Sequence, residues 1–173
     1  PRSQKKLLSL WEGGKPYALD LKSLDTIGED DLGYLKGNMS YSAHPKVDPD
    51  TGLIYNFGQR RGPGNSIDVY ESDKTGMIQR SRKIGFDRSP NFIHDFCLAG
   101  DFLVFFTFPI TIDILPVLLR KKSIFEVMEF DQKSYCEINI ISKKTLEKVG
   151  SIKTDPFFFF HFSNGYQNNE NGN

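Results

Sequence analysis

Short apolar runs alternate with clusters of Gly, Asp, Pro and Asn along most of the chain. Leu7-Leu8-Ser9-Leu10-Trp11 is followed by Gly13-Gly14-Lys15-Pro16 and then Tyr17-Ala18-Leu19. The turn Asp48-Pro49-Asp50-Thr51-Gly52 leads into Leu53-Ile54-Tyr55-Asn56-Phe57. Ile67-Asp68-Val69-Tyr70 precedes Ser72-Asp73-Lys74-Thr75-Gly76, and residues 102–108 and 137–141 are further runs of the same kind. β-branched and aromatic side chains fill the runs, and turn formers fill the gaps, so the pattern predicts short strands. No stretch predicts a helix beyond two turns. The exception to strand character is Ser123 to Phe130, between Lys122 and Asp131, which predicts a short helix. The chain reads as all-β.

A weak repeat refines that reading. Lys22-Ser23-Leu24-Asp25-Thr26-Ile27-Gly28 matches Lys144-Thr145-Leu146-Glu147-Lys148-Val149-Gly150 at an offset of 122 residues. Each follows a run ending in a polar residue and reads as the turn and return strand of a hairpin. Two unrelated hairpins with common turn residues would give the same match. Recurrent four-strand units of about 40–50 residues mark a β-propeller, and this offset would span two to three blades.

At 173 residues the chain is long enough for one domain with a real core. Pro1 and the polar tail 168–173 give both ends the look of cut ends, so residues 1–167 are expected to be part of a larger propeller domain. Net charge is zero, from 22 basic and 22 acidic residues, and no field points to nucleic acid. The 15 phenylalanines suggest a phenylalanine-rich core or an apolar ligand channel. Cys97 and Cys136 are too few for a disulfide scaffold, and a reducing compartment is expected. No signal peptide is visible. The most apolar run, residues 102–119, is interrupted by Pro109, Asp113 and Pro116 and does not predict a spanning helix. Taken alone, it favours a buried strand, residues 102–108, and a packed loop over an exposed loop touching a membrane. No Walker loop, dinucleotide fingerprint, nucleophile elbow or Cys-x-x-Cys pair occurs. The Gly- and Arg-rich stretch 58–64 reads as a solvated hairpin loop, not a phosphate cradle.

The three histidines carry the candidate chemistry. They stand in Ser42-Ala43-His44-Pro45-Lys46, Phe92-Ile93-His94-Asp95-Phe96 and Phe160-His161-Phe162-Ser163-Asn164, 50 and 67 residues apart. That spacing suits one ligand per supersecondary unit. Imidazole is the commonest protein ligand for iron, copper and zinc, and blade ends converging on a propeller axis could bring three together. A lone histidine beside phenylalanine is more often a hydrogen-bonded core residue. His94-x-x-Cys97 is a weak hint of zinc, with Cys97 read instead as a small buried residue after a strand 93–96.

These motifs resemble, in order, those of the carotenoid cleavage oxygenases, a family that includes cyanobacterial apocarotenoid oxygenases, plant carotenoid cleavage dioxygenases and the retinal pigment epithelium isomerase. The resemblance runs over residues 7–166. It rests on Leu10-Trp11-Glu12-Gly13-Gly14 with Pro16-Tyr17-Ala18-Leu19-Asp20, on Ser42 to Pro49, on Ile93-His94-Asp95-Phe96, and on Asp155-Pro156-Phe157 through His161-Phe162-Ser163-Asn164-Gly165-Tyr166. The family ends its third motif Asn-Ala-Tyr/Trp-Glu, whereas Asn164-Gly165-Tyr166-Gln167 stands here. That departure suggests that the reading frame or the homology ends there. The resemblance implies that the chain matches roughly the middle third of a full-length member.

The resemblance implies part of a seven-bladed β-propeller with Fe(2+) on its axis, held by four histidines. His44, His94 and His161 match three of them, and the fourth has no counterpart. Glu12 matches a carboxylate that orients His94, the kind of partner that fixes a ligand's tautomer and raises its basicity. Phe92 and Phe160 match positions lining the tunnel for a long apolar substrate, and strand alternation would divide Phe157 to Phe159 between tunnel and blade packing. The implied reaction is oxidative cleavage of a conjugated C=C bond of a carotenoid or apocarotenoid by O2 to carbonyl products. Alternatives are a stilbenoid-cleaving dioxygenase, retinoid isomerase activity, or a non-enzymatic propeller module that has lost turnover. Trp11 stands where the stilbenoid branch has a lysine. The isolated chain is expected to be inactive. Residues 112–119, followed by Arg120, Lys121 and Lys122, match the family's apolar entrance, implying peripheral membrane contact in the cytoplasm or a plastid.

Overall fold

A computed structural model of the chain describes residues 6–59, 64 and 66–168. Residues 60–63 of the Gly- and Arg-rich stretch, and 169–173 of the polar tail, lie outside the described residues. The chain divides into two compact units. One comprises Pro1–Gly85 with Lys144–Glu147, the other Phe86–Lys143 with Lys148–Asn173.

The first unit holds two antiparallel sheets. Strands β1 (Lys6–Ser9), β2 (Tyr17–Asp20) and β3 (Thr26–Glu29) form a three-stranded sheet in that order. Strands β4 (Lys46–Val47), β5 (Ile54–Gln59), β6 (Ser66–Ser72) and β7 (Ile78–Gly85) form a four-stranded meander, the architecture of a propeller blade. Its central strands are buried almost throughout because both faces are covered, so β6 lacks the apolar–polar alternation of a one-sided strand. Leu32, Leu35, Met39, Tyr41, Tyr70 and Ile78 make one core cluster. Tyr41 stacks on Tyr70 with ring centroids 5.9 Å apart.

The second unit holds a four-stranded sheet in the order β13-β12-β9-β8, where β8 is Cys97–Ala99, β9 Phe102–Thr107, β12 Cys136–Ser142 and β13 Lys148–Thr154. β9 alternates strictly: Leu103, Phe105 and Thr107 are fully buried and Phe102, Val104 and Phe106 half-buried. Phe105 stacks nearly parallel on Phe96 at 5.0 Å. Strands β10 (Ile110–Ile112) and β11 (Met128–Phe130) pair as a separate ribbon.

The repeat is borne out in detail. In both hairpins a leucine, Leu24 and Leu146, takes the left-handed conformation, at φ 62° and 55°. In both, the register shifts one residue at the matching place, Ala18/Leu19 and Ile140/Ile141. In both, a turn hydroxyl accepts the backbone N–H two residues on, Ser23 from Asp25 and Thr145 from Glu147. Seven similar residues thus encode one bulged hairpin twice.

Three local expectations fail. Ser123 to Phe130 is not a helix but a 3-10 turn, Phe125–Val127, running into β11. Glu126 accepts both the N–H and the hydroxyl of Ser123, so the turn starts as a helix would, but residues 128–130 find sheet partners in β10. The segment after β10 is not a packed loop. It forms a five-residue helix, α1 (Ile114–Leu118), capped by Asp113, whose carboxylate accepts the Leu115 N–H. A helix apolar on every side cannot bury all its faces, and Ile114, Leu115, Leu118 and Leu119 are exposed. Residues 93–96 are not a strand either; the ladder starts at Cys97, which is buried as expected.

Candidate metal centre

His94 and His161 meet in the second unit. Their Nε2 atoms are 3.2 Å apart and the rings lie at 72°. His94 stands three residues before β8, between buried Ile93 and buried Asp95. Phe96, fully buried against Phe105, anchors the chain just after it. His161 follows β13, on a segment from Asp155 to Asn168 that has no sheet ladder. Side chains hold that segment instead. Cys136 Sγ contacts the backbone of Phe157, accepting its N–H at 3.3 Å and facing its carbonyl at 3.1 Å. Asp95 Oδ2 accepts the Phe162 N–H at 3.0 Å, and Gln167 Oε1 accepts the Asp101 N–H at 2.9 Å.

Four consecutive phenylalanines precede His161, and without a ladder they do not alternate as a strand would. Phe158 and Phe159 pack on the core of Phe108, Ile110 and Cys136. Phe160 is about half exposed and sets its ring edge-on to His94 at 5.6 Å. Phe92, two residues before His94, is half-buried in the left-handed conformation at φ 61°, an outlier for an aromatic residue, and its ring contacts Phe125 at 6.3 Å. Of the two expected tunnel residues, Phe160 thus contacts the histidine pair, while Phe92 packs on Phe125 and the core of Phe108, Ile110 and Cys136.

His44 belongs to the first unit, half-buried, with its N–H donated to Ser42 Oγ. The chain leading to it lies along β5. Ser42 N–H bonds to Phe57 O, Asn56 Nδ2 to Ser42 O, and Ser40 Oγ both donates to Gln59 O and accepts from Gln59 N. Tyr70 OH adds a bond to Ser40 O. Gly58 permits this approach: a Cβ there would lie 1.9 Å from Ser40 O.

Glu12, half-buried, lies in the same unit on the turn after β1. Trp11 pairs with Tyr41 in an isolated bridge, and Tyr41 N bonds to Gly14 O. The Trp11 indole lies across Gly13 and Gly14, where an added Cβ would meet the ring at 2.1 and 2.8 Å. The Trp-Glu-Gly-Gly motif thus has a local reason: the glycines admit the indole, and the turn is tied to the strand segment that leads to His44.

Two imidazole nitrogens each about 2.1 Å from one ion and at right angles sit about 3 Å apart. The 3.2 Å separation of His94 and His161 fits that arrangement. With no ion between them, the same distance is a hydrogen bond in which one ring donates and the other accepts. Neutral nitrogen donors without a carboxylate suit a borderline divalent metal more than calcium or magnesium.

The departure at the third motif is also explained. A Cβ at Gly165 would lie 2.0 Å from Cys97 Sγ, so the glycine accommodates a neighbouring thiol. Gln167 is used in the bond to Asp101. Sequence reasoning missed Asp95 and Gly58; the one available signal was an aspartate inside the apolar run Ile93-His94-Asp95-Phe96.

The model of the retinal pigment epithelial membrane protein family matches residues 2–173, so homology does not end at Gly165. The chain is 31% identical to an apocarotenoid-15,15'-oxygenase from Synechocystis, over 95% of this chain and 34% of that protein. It is 28% identical to an isoeugenol monooxygenase from Pseudomonas nitroreducens, over 94% of this chain and 34% of that one. Among solved structures, a cobalt-substituted Synechocystis apocarotenoid oxygenase superposes with a TM-score of 0.83 at 29% identity, covering 95% of this chain and 35% of that chain. The chain thus spans about a third of the length of the relatives it matches. Its nearly all-β fold is part of a seven-bladed β-propeller.

Proposed function

Because the chain belongs to the retinal pigment epithelial membrane protein family, we propose that it supplies His44, His94 and His161 to an Fe(2+) centre of a dioxygenase that cleaves a conjugated C=C bond of a carotenoid or apocarotenoid. The facing Nε2 atoms of His94 and His161, 3.2 Å apart, carry this reading. His44 joins them as the third nitrogen on the strength of its motif. Ferrous iron, when bound, supplies the activation of O2 that no side chain can.

The protein's own residues do the rest. Neutral imidazoles hold the ion without cancelling its charge. Glu12 accepts the outer ring N–H of His94, fixing the tautomer that leaves the other nitrogen free to ligate. Phe92 and Phe160 hold a polyene beside the histidines by flat area, with no hydrogen bonds needed for an apolar chain. The exposed side chains of α1, with Arg120, Lys121 and Lys122 behind them, touch a membrane surface and admit a water-insoluble substrate from it. Among the described residues no helix is long and apolar enough to cross a membrane.

The test is cleavage of an apocarotenoid by the full-length protein, followed as loss of polyene absorbance, together with its iron content. Stoichiometric iron and turnover, both lost in His94→Ala and His161→Ala, are expected. Turnover in iron-free protein would overturn the proposal. Cleavage of a phenylpropenoid, the substrate type named for the isoeugenol relative, with polyenes untouched would move the substrate assignment.

A further inference from the structure

Asp95 is a carboxylate in the second unit with only 5% of its surface exposed. An ionised carboxylate is not buried without compensation, and here both oxygens accept backbone N–H groups. Oδ1 takes the Phe96 N–H at 2.8 Å, one residue along its own chain. Oδ2 takes the Phe162 N–H at 3.0 Å, across 67 residues of sequence. The long-range bond therefore joins Asp95, the residue after His94, to Phe162, the residue after His161.

The need for such a bond follows from the local structure. Neither histidine sits on a strand, and residues 155–168 carry no sheet ladder. Ladder bonds therefore cannot set where His161 stands. Cys136 fixes the segment four residues before it, at Phe157, and Gln167 fixes it six residues after. Asp95 acts one residue away. Bonds accepted by a charged group are about twice as strong as neutral ones, so one carboxylate can hold two short lengths of chain against each other.

We infer that Asp95 is a positioning residue of the metal centre: through the Phe162 N–H its carboxylate ties the His161 segment to the His94 segment and sets the separation of their ring nitrogens. Its assigned role is to place the histidines, not to ligate. The inference rests on the proposal that these histidines ligate a metal, and its test separates the two.

The experiment uses the full-length protein, metal-free, as wild type, Asp95→Asn and Asp95→Ala. Each is titrated with Co(2+), read by the visible ligand-field spectrum, and amide exchange at Phe162 is measured without metal. Asp95→Ala is expected to weaken cobalt binding about tenfold, the lower end for partners that orient ligands. It is also expected to shift the spectrum and to speed Phe162 exchange. Asp95→Asn, which keeps one acceptor oxygen, is expected to fall between. Should Asp95→Ala not fold, Asp95→Asn decides alone. Unchanged affinity, spectrum and exchange overturn the inference, and so does lowered thermal stability with the spectrum unmoved. If wild type binds no cobalt, the metal reading fails, and an unchanged exchange rate still refutes the tie.

Discussion

Replacing Gly58 by alanine should displace the chain that carries His44. The added Cβ would lie 1.9 Å from Ser40 O, 2.7 Å from Ser40 C and 2.8 Å from the Tyr70 hydroxyl. Real Cβ contacts essentially never fall below 3.0 Å, so backbone must give way by about 1 Å or more. The bonds around Ser40 are 2.9, 3.0 and 3.1 Å long, and a 1 Å shift puts them beyond hydrogen-bond reach. Three bonds at about 1 kcal/mol each give a loss of about 3 kcal/mol. For a chain of this size that corresponds to a fall in Tm of about 6–12 °C. Circular dichroism melts of Gly58→Ala against wild type measure it, and iron content reports whether His44 has moved as well. Gly150→Ala is the control, since an added Cβ there meets nothing within 4 Å. A Gly58→Ala protein melting within about 2 °C of wild type would refute the close-approach argument.

Other consequences are equally direct. Gly165→Ala should destabilise through the 2.0 Å encounter with Cys97 Sγ, and the double change with Cys97→Ala should recover most of the loss, as a double-mutant cycle in thermal unfolding would show. Leu24→Gly and Leu146→Gly should act oppositely. Both relieve a left-handed leucine, but Leu24 is 61% exposed and should gain up to about 1 kcal/mol, whereas Leu146 is 2% exposed and should lose about 2 kcal/mol of burial in denaturant titrations. Changing Leu115, Leu118 and Leu119 together to serine should abolish liposome flotation of the full-length protein with its fold intact; undiminished flotation rules the patch out.

The sequence was most informative where local chemistry decides structure. Leu24 and Leu146 show it: a seven-residue match carried the hairpin, its left-handed residue and its bulge, because a bulged turn is specified by the residues inside it. β9 was legible because its runs are β-branched and aromatic with turn residues at either end. The errors fall where long-range partners decide. Residues 128–130 could begin a helix, and only the ladder to β10 makes them a strand. Four successive phenylalanines give no period, so nothing in them announced that residues 155–168 would be held by side chains. His44, His94 and His161 were singled out by context and by resemblance, but Asp95 and Gly58, which hold their segments, were not. A buried carboxylate and a close backbone approach are visible only once the chain is folded.

The central claim, that these histidines hold one iron, is tested most directly by anomalous scattering at the iron edge from crystals of the full-length protein. The account predicts a single peak within about 2.3 Å of His94 Nε2 and of His161 Nε2, with His44 as a further ligand. A peak elsewhere, or a direct hydrogen bond between His94 and His161 in protein loaded with stoichiometric iron, would contradict it.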